Sequence, residues 1–163
     1  MVERIEPGPG QESAWDYPRP PRVERCRRHV LVRFGGIDLA DSRDNLRVLE
    51  LAHPPAFYLP PHHVRLELLT LSTYHTNCEY KGRASYYDLA LDGRTVKNVA
   101  WVYTDPTPEF AALRGHIAFY PGRVDAAFVD GERVGAQEGT FYGGWITNDV
   151  VGPFKGAAGS FSW

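Results

Sequence analysis

Thr76-Asn77-Cys78-Glu79-Tyr80-Lys81-Gly82 sets a thiol, a carboxylate, an amine and hydroxyls side by side. The aromatic residues around this stretch would otherwise only fill a β-type interior. If Tyr74 to Tyr80 is extended, Tyr74, Thr76, Cys78 and Tyr80 share one face, and His75, Asn77, Glu79 and Lys81 share the other. That separates Cys78 from its nearest imidazole, so a cysteine-histidine nucleophile requires a local turn or a distant base such as His53. Cys78 therefore has two readings. It is a buried free thiol serving as a small apolar residue, or a nucleophilic or redox-sensitive thiol whose thiolate Lys81 and Arg83 stabilise. Cys78, His75 and a carboxylate do not reproduce a metal-ligand spacing, so no metal site is expected.

Lys81-Gly82-Arg83 is the best local place for an anion, because two cations on a flexible turn can make charge-assisted contacts with phosphate or carboxylate. The same residue types also occur on solvated turns. Glu50 could neutralise Lys81, accept a proton or fix a polar group of a ligand. The candidate catalytic set is thus Glu50, Cys78, Lys81 and His75. Tyr58, Thr76, Arg83, Tyr86 and Trp101 are the candidate binding residues, with Tyr87 and Tyr103 as further wall material. Nothing in the chain names a cofactor.

The elements that must position these groups read as short strands. His29 to Phe34 and Ile37 to Asp41 form a hairpin about Gly35-Gly36, and Asn45 to Leu51 alternates so as to send Glu50 inward with Leu46 and Val48. A short helix is expected from Pro61 to Leu69, since proline is tolerated in a first turn. Ala84 to Leu91 and Thr95 to Thr104 flank the Asp92-Gly93 turn. Pro108 to Leu113 reads as a helical turn, and His116 to Tyr120 and Val124 to Val129 as further strands. This spacing predicts a mainly β fold, a small antiparallel two-sheet arrangement with one or two short helices.

At 163 residues with 43% hydrophobic content, the chain supports one ordinary core. A core at 30–134 is expected between two additions. Residues 1–29 form a tail, mobile from Met1 to Gln11, and then an aromatic, proline-rich strap at Trp15 to Arg22. Residues 135–163 form a glycine and aromatic strap. A formal charge of −2 gives no global field toward nucleic acid or acidic membranes. Arg22, Arg25, Arg27 and Arg28 are interrupted by Glu24 and lack a base-stacking motif, so they read as a solvated or carboxylate-paired face, and no nucleic-acid partner is expected. Two cysteines do not make a disulfide framework, and no apolar run is long enough for a leader or membrane span. Reduced thiols, a cytoplasmic location and no membrane partner are the expectations.

With Tyr58, Pro60, Thr76, Cys78, Lys81-Gly82, Tyr86-Tyr87 and Trp101 in view, the chain closely resembles domain-of-unknown-function family 427, which sometimes carries a nucleotidyltransferase-like label. RVLELAHPPAFYLPPHHV and TNCEYKGRASYYDLALDGRTVKNVAWVYTDP carry the resemblance over roughly Val30 to Asp130, and WDYPRPP and FYGGWITNDVVGPFKG resemble an extended form. The resemblance implies a compact β-rich fold of two antiparallel sheets in a tent-like arrangement. Zinc does not come with it, because the paired cysteine motifs are absent. The label implies metal-supported phosphoryl transfer, for which no paired carboxylates on a glycine-rich loop are present.

Together these readings predict a small-molecule-binding protein acting on, or holding, a small polar or anionic ligand in the Glu50/Cys78/Lys81 region. The alternative is a non-catalytic metabolite-binding or protein-interaction module, with the terminal aromatic segments as a homo-oligomer contact.

Overall fold

The computed structural model describes residues 2–163; Met1, the first residue of the expected mobile tail, lies outside them. The fold is mainly β, and its strands pair almost entirely antiparallel. Strands β1 (Glu12–Ser13) and β2 (Arg22–Cys26) precede the hairpin of β3 (Val30–Phe34) and β4 (Ile37–Ser42). Next come β5 (Asn45–Leu49) and β6 (Ala56–Tyr58), then the long ribbon of β7 (Leu69–Cys78), β8 (Gly82–Leu91) and β9 (Arg94–Val102). The chain finishes with β10 (Ile117–Phe119), β11 (Ala126–Val129), β12 (Glu132–Arg133), β13 (Gly135–Ala136), β14 (Trp145–Ile146) and β15 (Val150–Val151).

Two four-stranded sheets form the body, ordered β10-β9-β8-β7 and β12-β11-β3-β4. A three-stranded sheet, β2-β5-β6, joins the first of them where Leu59 bridges Ile117. Alternation along the strands sorts side chains into two cores. Ile117 and Phe119 of β10 enter the main core with Phe57, Leu59, Val30 and Val32, while Ala118 and Tyr120 enter a second one with Tyr58, Tyr86, Trp101 and Tyr103. The second core is the tyrosine-rich one, and the site described below opens from it.

The expected helix at 61–69 is not continuous. Pro61–His63 and Leu66–Leu68 are separate 3-10 turns, with Val64 extended between them and bridged to Ala40. The backbone N–H of Arg65 donates to Leu39 O at 2.9 Å, so pairing with β4 wins over a second helical turn. Pro108–Leu113 turns helically as expected, as two 3-10 turns that meet at a non-helical Phe110. Among the described residues, no helix is long and apolar enough to cross a membrane.

Residues 2–11 are tied to the C-terminal segment. Ile5 N–H donates to Gly152 O at 3.2 Å, Gln11 Nε2 donates to Asn148 O at 2.7 Å, and β1 runs parallel to β15. Trp15 meets Trp163 in a tilted contact, ring centroids 5.5 Å apart, and donates from Nε1 to Pro153 O at 2.8 Å. The arginine cluster is largely carboxylate-paired: Arg25 reaches Asp44 at 3.5 Å, and Arg28 reaches Asp130 at 2.9 Å and Asp149 at 2.6 Å.

Arg47, buried on β5, bonds both Glu12 and Glu24. Its guanidinium holds the Glu12 carboxyl below its ordinary value of 4.5. A depressed folded-state pKa stabilises the fold above the unfolded value and loses that contribution as pH falls through the folded value. Urea midpoints are therefore expected to fall from pH 5 downward, and to fall less steeply in Glu12→Gln. Parallel profiles for the two proteins would remove Glu12 from the account.

Candidate functional site

β7 and β8 meet in a turn over Glu79–Lys81, and the neighbouring loop clamps it. Thr107 N–H donates to Lys81 O at 3.0 Å, and Thr107 Oγ1 donates to Tyr80 O at 2.7 Å. Strand alternation ends at Cys78, so Lys81 does not stay on the His75 face where the extended pattern put it. It turns into the tyrosine-rich core instead. Lys81 is 8% exposed, and its Nζ lies 5.9 Å from the Tyr103 ring centroid and 6.0 Å from that of Phe110.

Lys81 lines a cavity of about 250 Å³. Thr76 and Cys78 of β7, Tyr86 of β8, Trp101 of β9, Tyr58 of β6 and Glu50, just past β5, line it too. The hydroxyl of Tyr58 accepts from Trp101 Nε1 at 2.9 Å, and the two rings meet edge to face at 6.0 Å. Burial raises the phenols of Tyr58, Tyr103 and Tyr120 above the ordinary tyrosine value, so all three are neutral donors and acceptors. Thr76 Oγ1 shares a 2.9 Å hydrogen bond with the Tyr86 hydroxyl.

His75 and Arg83 do not join this set. Both are exposed, and both lie on the opposite face of the ribbon, where His75 pairs across from Ser85 and Arg83 from Asn77. His75 Nδ1 lies 3.4 Å from Ser85 Oγ. Arg83 follows Gly82 directly, and the alternation of β8 that sends Ala84 and Tyr86 inward sends it out. Cys78 and Cys26 are free thiols, and among the described residues no imidazole lies within hydrogen-bonding reach of Cys78.

Glu50 reaches the cavity, but its cation is Arg19, whose Nε is 3.5 Å from Oε2. Among the described residues Lys81 has no carboxylate within ion-pairing distance and no hydrogen-bond acceptor for Nζ. Its Nζ is not sealed in, since Asn45 Oδ1 is the one fully enclosed side-chain polar atom found without a partner there. The ammonium group is open to the cavity.

Another part of the wall is built by residues the sequence reading passed over as site members. Gln137, Tyr142 and Lys155 come from the C-terminal segment and converge on His53, which follows β5. Tyr142 meets the His53 ring edge to face at 4.8 Å, and Lys155 Nζ lies 5.6 Å from the Tyr142 ring centroid. Burial pushes the His53 imidazole down to about 4, against the pull of Glu50. The available signal was compositional: polar Gln137 and Lys155 within an aromatic, glycine-rich segment. Among the described residues, no group of three or more His, Cys, Asp or Glu could hold a metal ion.

The sequence model of a family described as a domain of unknown function (DUF427) matches residues 22–130 of the 163. The chain belongs to this family. A comparison with curated proteins finds no match. The DUF427 match contains Glu50, His53, Tyr58, Cys78, Lys81 and Trp101, whereas Gln137, Tyr142 and Lys155 lie beyond its end. In this chain the cavity wall therefore continues outside the family unit.

Proposed function

We propose that this DUF427 protein binds a small organic anion in the cavity. The anionic group sits on Lys81, and the body of the ligand lies against Tyr58, Tyr86, Trp101 and Tyr103. The observation that carries this reading is the Lys81 ammonium: buried among aromatic rings, open to the cavity and without a counter-ion among the described residues. Desolvating a cation is costly, and an incoming carboxylate or phosphate offsets that cost with a charge-assisted hydrogen bond. Thr76 and the neutral tyrosine hydroxyls supply further hydrogen bonds, and Cys78 faces the ligand from β7.

Isothermal calorimetry with acetate, benzoate and inorganic phosphate tests the reading on wild-type protein and on Lys81→Met, which keeps the length and apolar stem of the side chain. Saturable binding of at least one anion is expected, with affinity falling about 10- to 100-fold in Lys81→Met, the range for a hydrogen bond to a charged group. Equal affinity in the two proteins, or no binding by any of the three anions, would sink it.

A further inference from the structure

The amide of Gln137 settles which nitrogen of His53 carries the proton. Gln137 Oε1 accepts from the Gly144 backbone N–H at 3.1 Å, and Gln137 Nε2 donates to Lys155 O at 2.5 Å. Turning the amide over would set oxygen against a carbonyl and an N–H₂ against an N–H, so its orientation is determined by its backbone partners. Gln137 Nε2, a donor only, also lies 3.0 Å from His53 Nδ1, which must then be the acceptor. The proton of the neutral ring is left on Nε2.

His53 Nε2–H has no hydrogen-bond partner among the described residues; the nearest carboxylate oxygen, Glu50 Oε2, is 3.8 Å away. Like Lys81 Nζ, it is not sealed in, and the ring lines the cavity. The groups that bear on its charge are Glu50 from the end of β5, Arg19 from the N-terminal segment and Lys155 from the C-terminal segment, with neutral Gln137 and Tyr142 against the ring. The two cations oppose protonation and the carboxylate favours it. Burial, the largest influence, keeps the ring neutral.

We infer that the His53 part of the cavity wall is a hydrogen-bond-donor subsite for an uncharged acceptor oxygen, with His53 Nε2–H as the donor and Gln137 as the residue that positions it. This deepens, and rests on, the reading of Lys81 as the anion anchor: the ligand class becomes a small acid carrying a carbonyl as well as its anionic group. A neutral imidazole donor favours a carbonyl oxygen there, and the aromatic residues that line the same cavity accommodate an apolar spacer.

The test uses the full chain with ¹⁵N-labelled histidine. Long-range ¹H–¹⁵N correlation, with His53 assigned among the six histidines by the signal lost in His53→Asn, is expected to show the Nε2–H tautomer at pH 7 and no protonation down to pH 5. The Nδ1–H tautomer, or titration at an ordinary histidine pH, would overturn the assignment. Gln137→Glu is expected to move the proton to Nδ1 and raise the pH at which the ring charges. An unchanged tautomer would remove Gln137 as the positioning residue.

Two ligand series then separate this inference from the anion reading. Cyclopentanone, an uncharged acceptor, is expected to shift the His53 Nε2 resonance saturably. 4-Oxopentanoate, whose ketone is separated from its carboxylate by two methylenes, is expected to bind about five- to tenfold more tightly than pentanoate, the gain of one neutral hydrogen bond, and to lose that preference in His53→Phe. No response to cyclopentanone, with the two acids equal in affinity, overturns the donor subsite and leaves Lys81 as anchor. A cyclopentanone response with neither acid binding supports the donor subsite and overturns the anion reading.

Discussion

Trp145→Ala is expected to cost more stability than any other single truncation in the C-terminal segment. Trp145 is fully buried in the main core, tilted against Phe57 at 5.1 Å, and its Nε1 donates to Phe119 O at 3.0 Å. Its own N–H donates to Pro55 O at 2.8 Å. Truncation leaves a large cavity, for which the usual cost is about 3–5 kcal/mol, and orphans the Phe119 carbonyl at about 1–3 kcal/mol more if no water reaches it. For a domain of this size such a loss lowers Tm by roughly 10 °C or more. Urea and thermal denaturation measure it, with Trp163→Ala as the control, since that residue is only partly buried and lies tilted against Trp15. A loss below about 1 kcal/mol, within the range of surface substitutions, would mean that the segment from Gly135 onward is a dispensable appendage.

Gly144→Ala is the second. A Cβ at Gly144 would lie 2.5 Å from Pro54 Cγ, 2.8 Å from Pro54 O and 2.7 Å from Gln137 Oε1. A proline ring and a backbone carbonyl cannot swing away, and the Gln137 amide is held by its own hydrogen bonds. Overpacking of this kind costs about 1–3 kcal/mol. The displacement falls on the Gln137 amide that positions His53, so the expected outcome is coupled: lower stability, and loss of the 4-oxopentanoate preference while Lys81-dependent anion binding remains. Gly135→Ala is the matched control, because its Cβ would meet Ile146 at an ordinary 3.5 Å. A Gly144→Ala protein as stable as Gly135→Ala would show that the loop yields, and that the close approach at Pro54 does not constrain the site.

Both substitutions act through a segment whose importance is invisible at short range. The alternation of Tyr74 to Cys78 was legible because a strand has a period of two, and it correctly set Thr76 and Cys78 apart from His75. The same rule applied past Cys78 misplaced Lys81, since the strand stops there and a turn clamped by Thr107 takes over. The pattern of Asn45 to Leu51 likewise sent Glu50 toward the cavity, yet its partner is Arg19, some thirty residues earlier, and not Lys81. The helix expected at 61–69 failed for a related reason, because a long-range pairing with β4 claimed the Arg65 N–H.

Local chemistry, then, determined the mainly β fold, most of the strand positions, and the tyrosines, tryptophan, thiol and lysine of one cavity wall. Strand periodicity, turn residues and aromatic content act over a few residues and can be read from them. Tertiary structure decided that Lys81 has no counter-ion within reach among the described residues, that Arg83 and His75 face away, and that Gln137 reaches back across 84 positions to set the tautomer of His53. Those outcomes depend on which distant backbone groups meet when the sheets pack, and no periodicity along the chain encodes them.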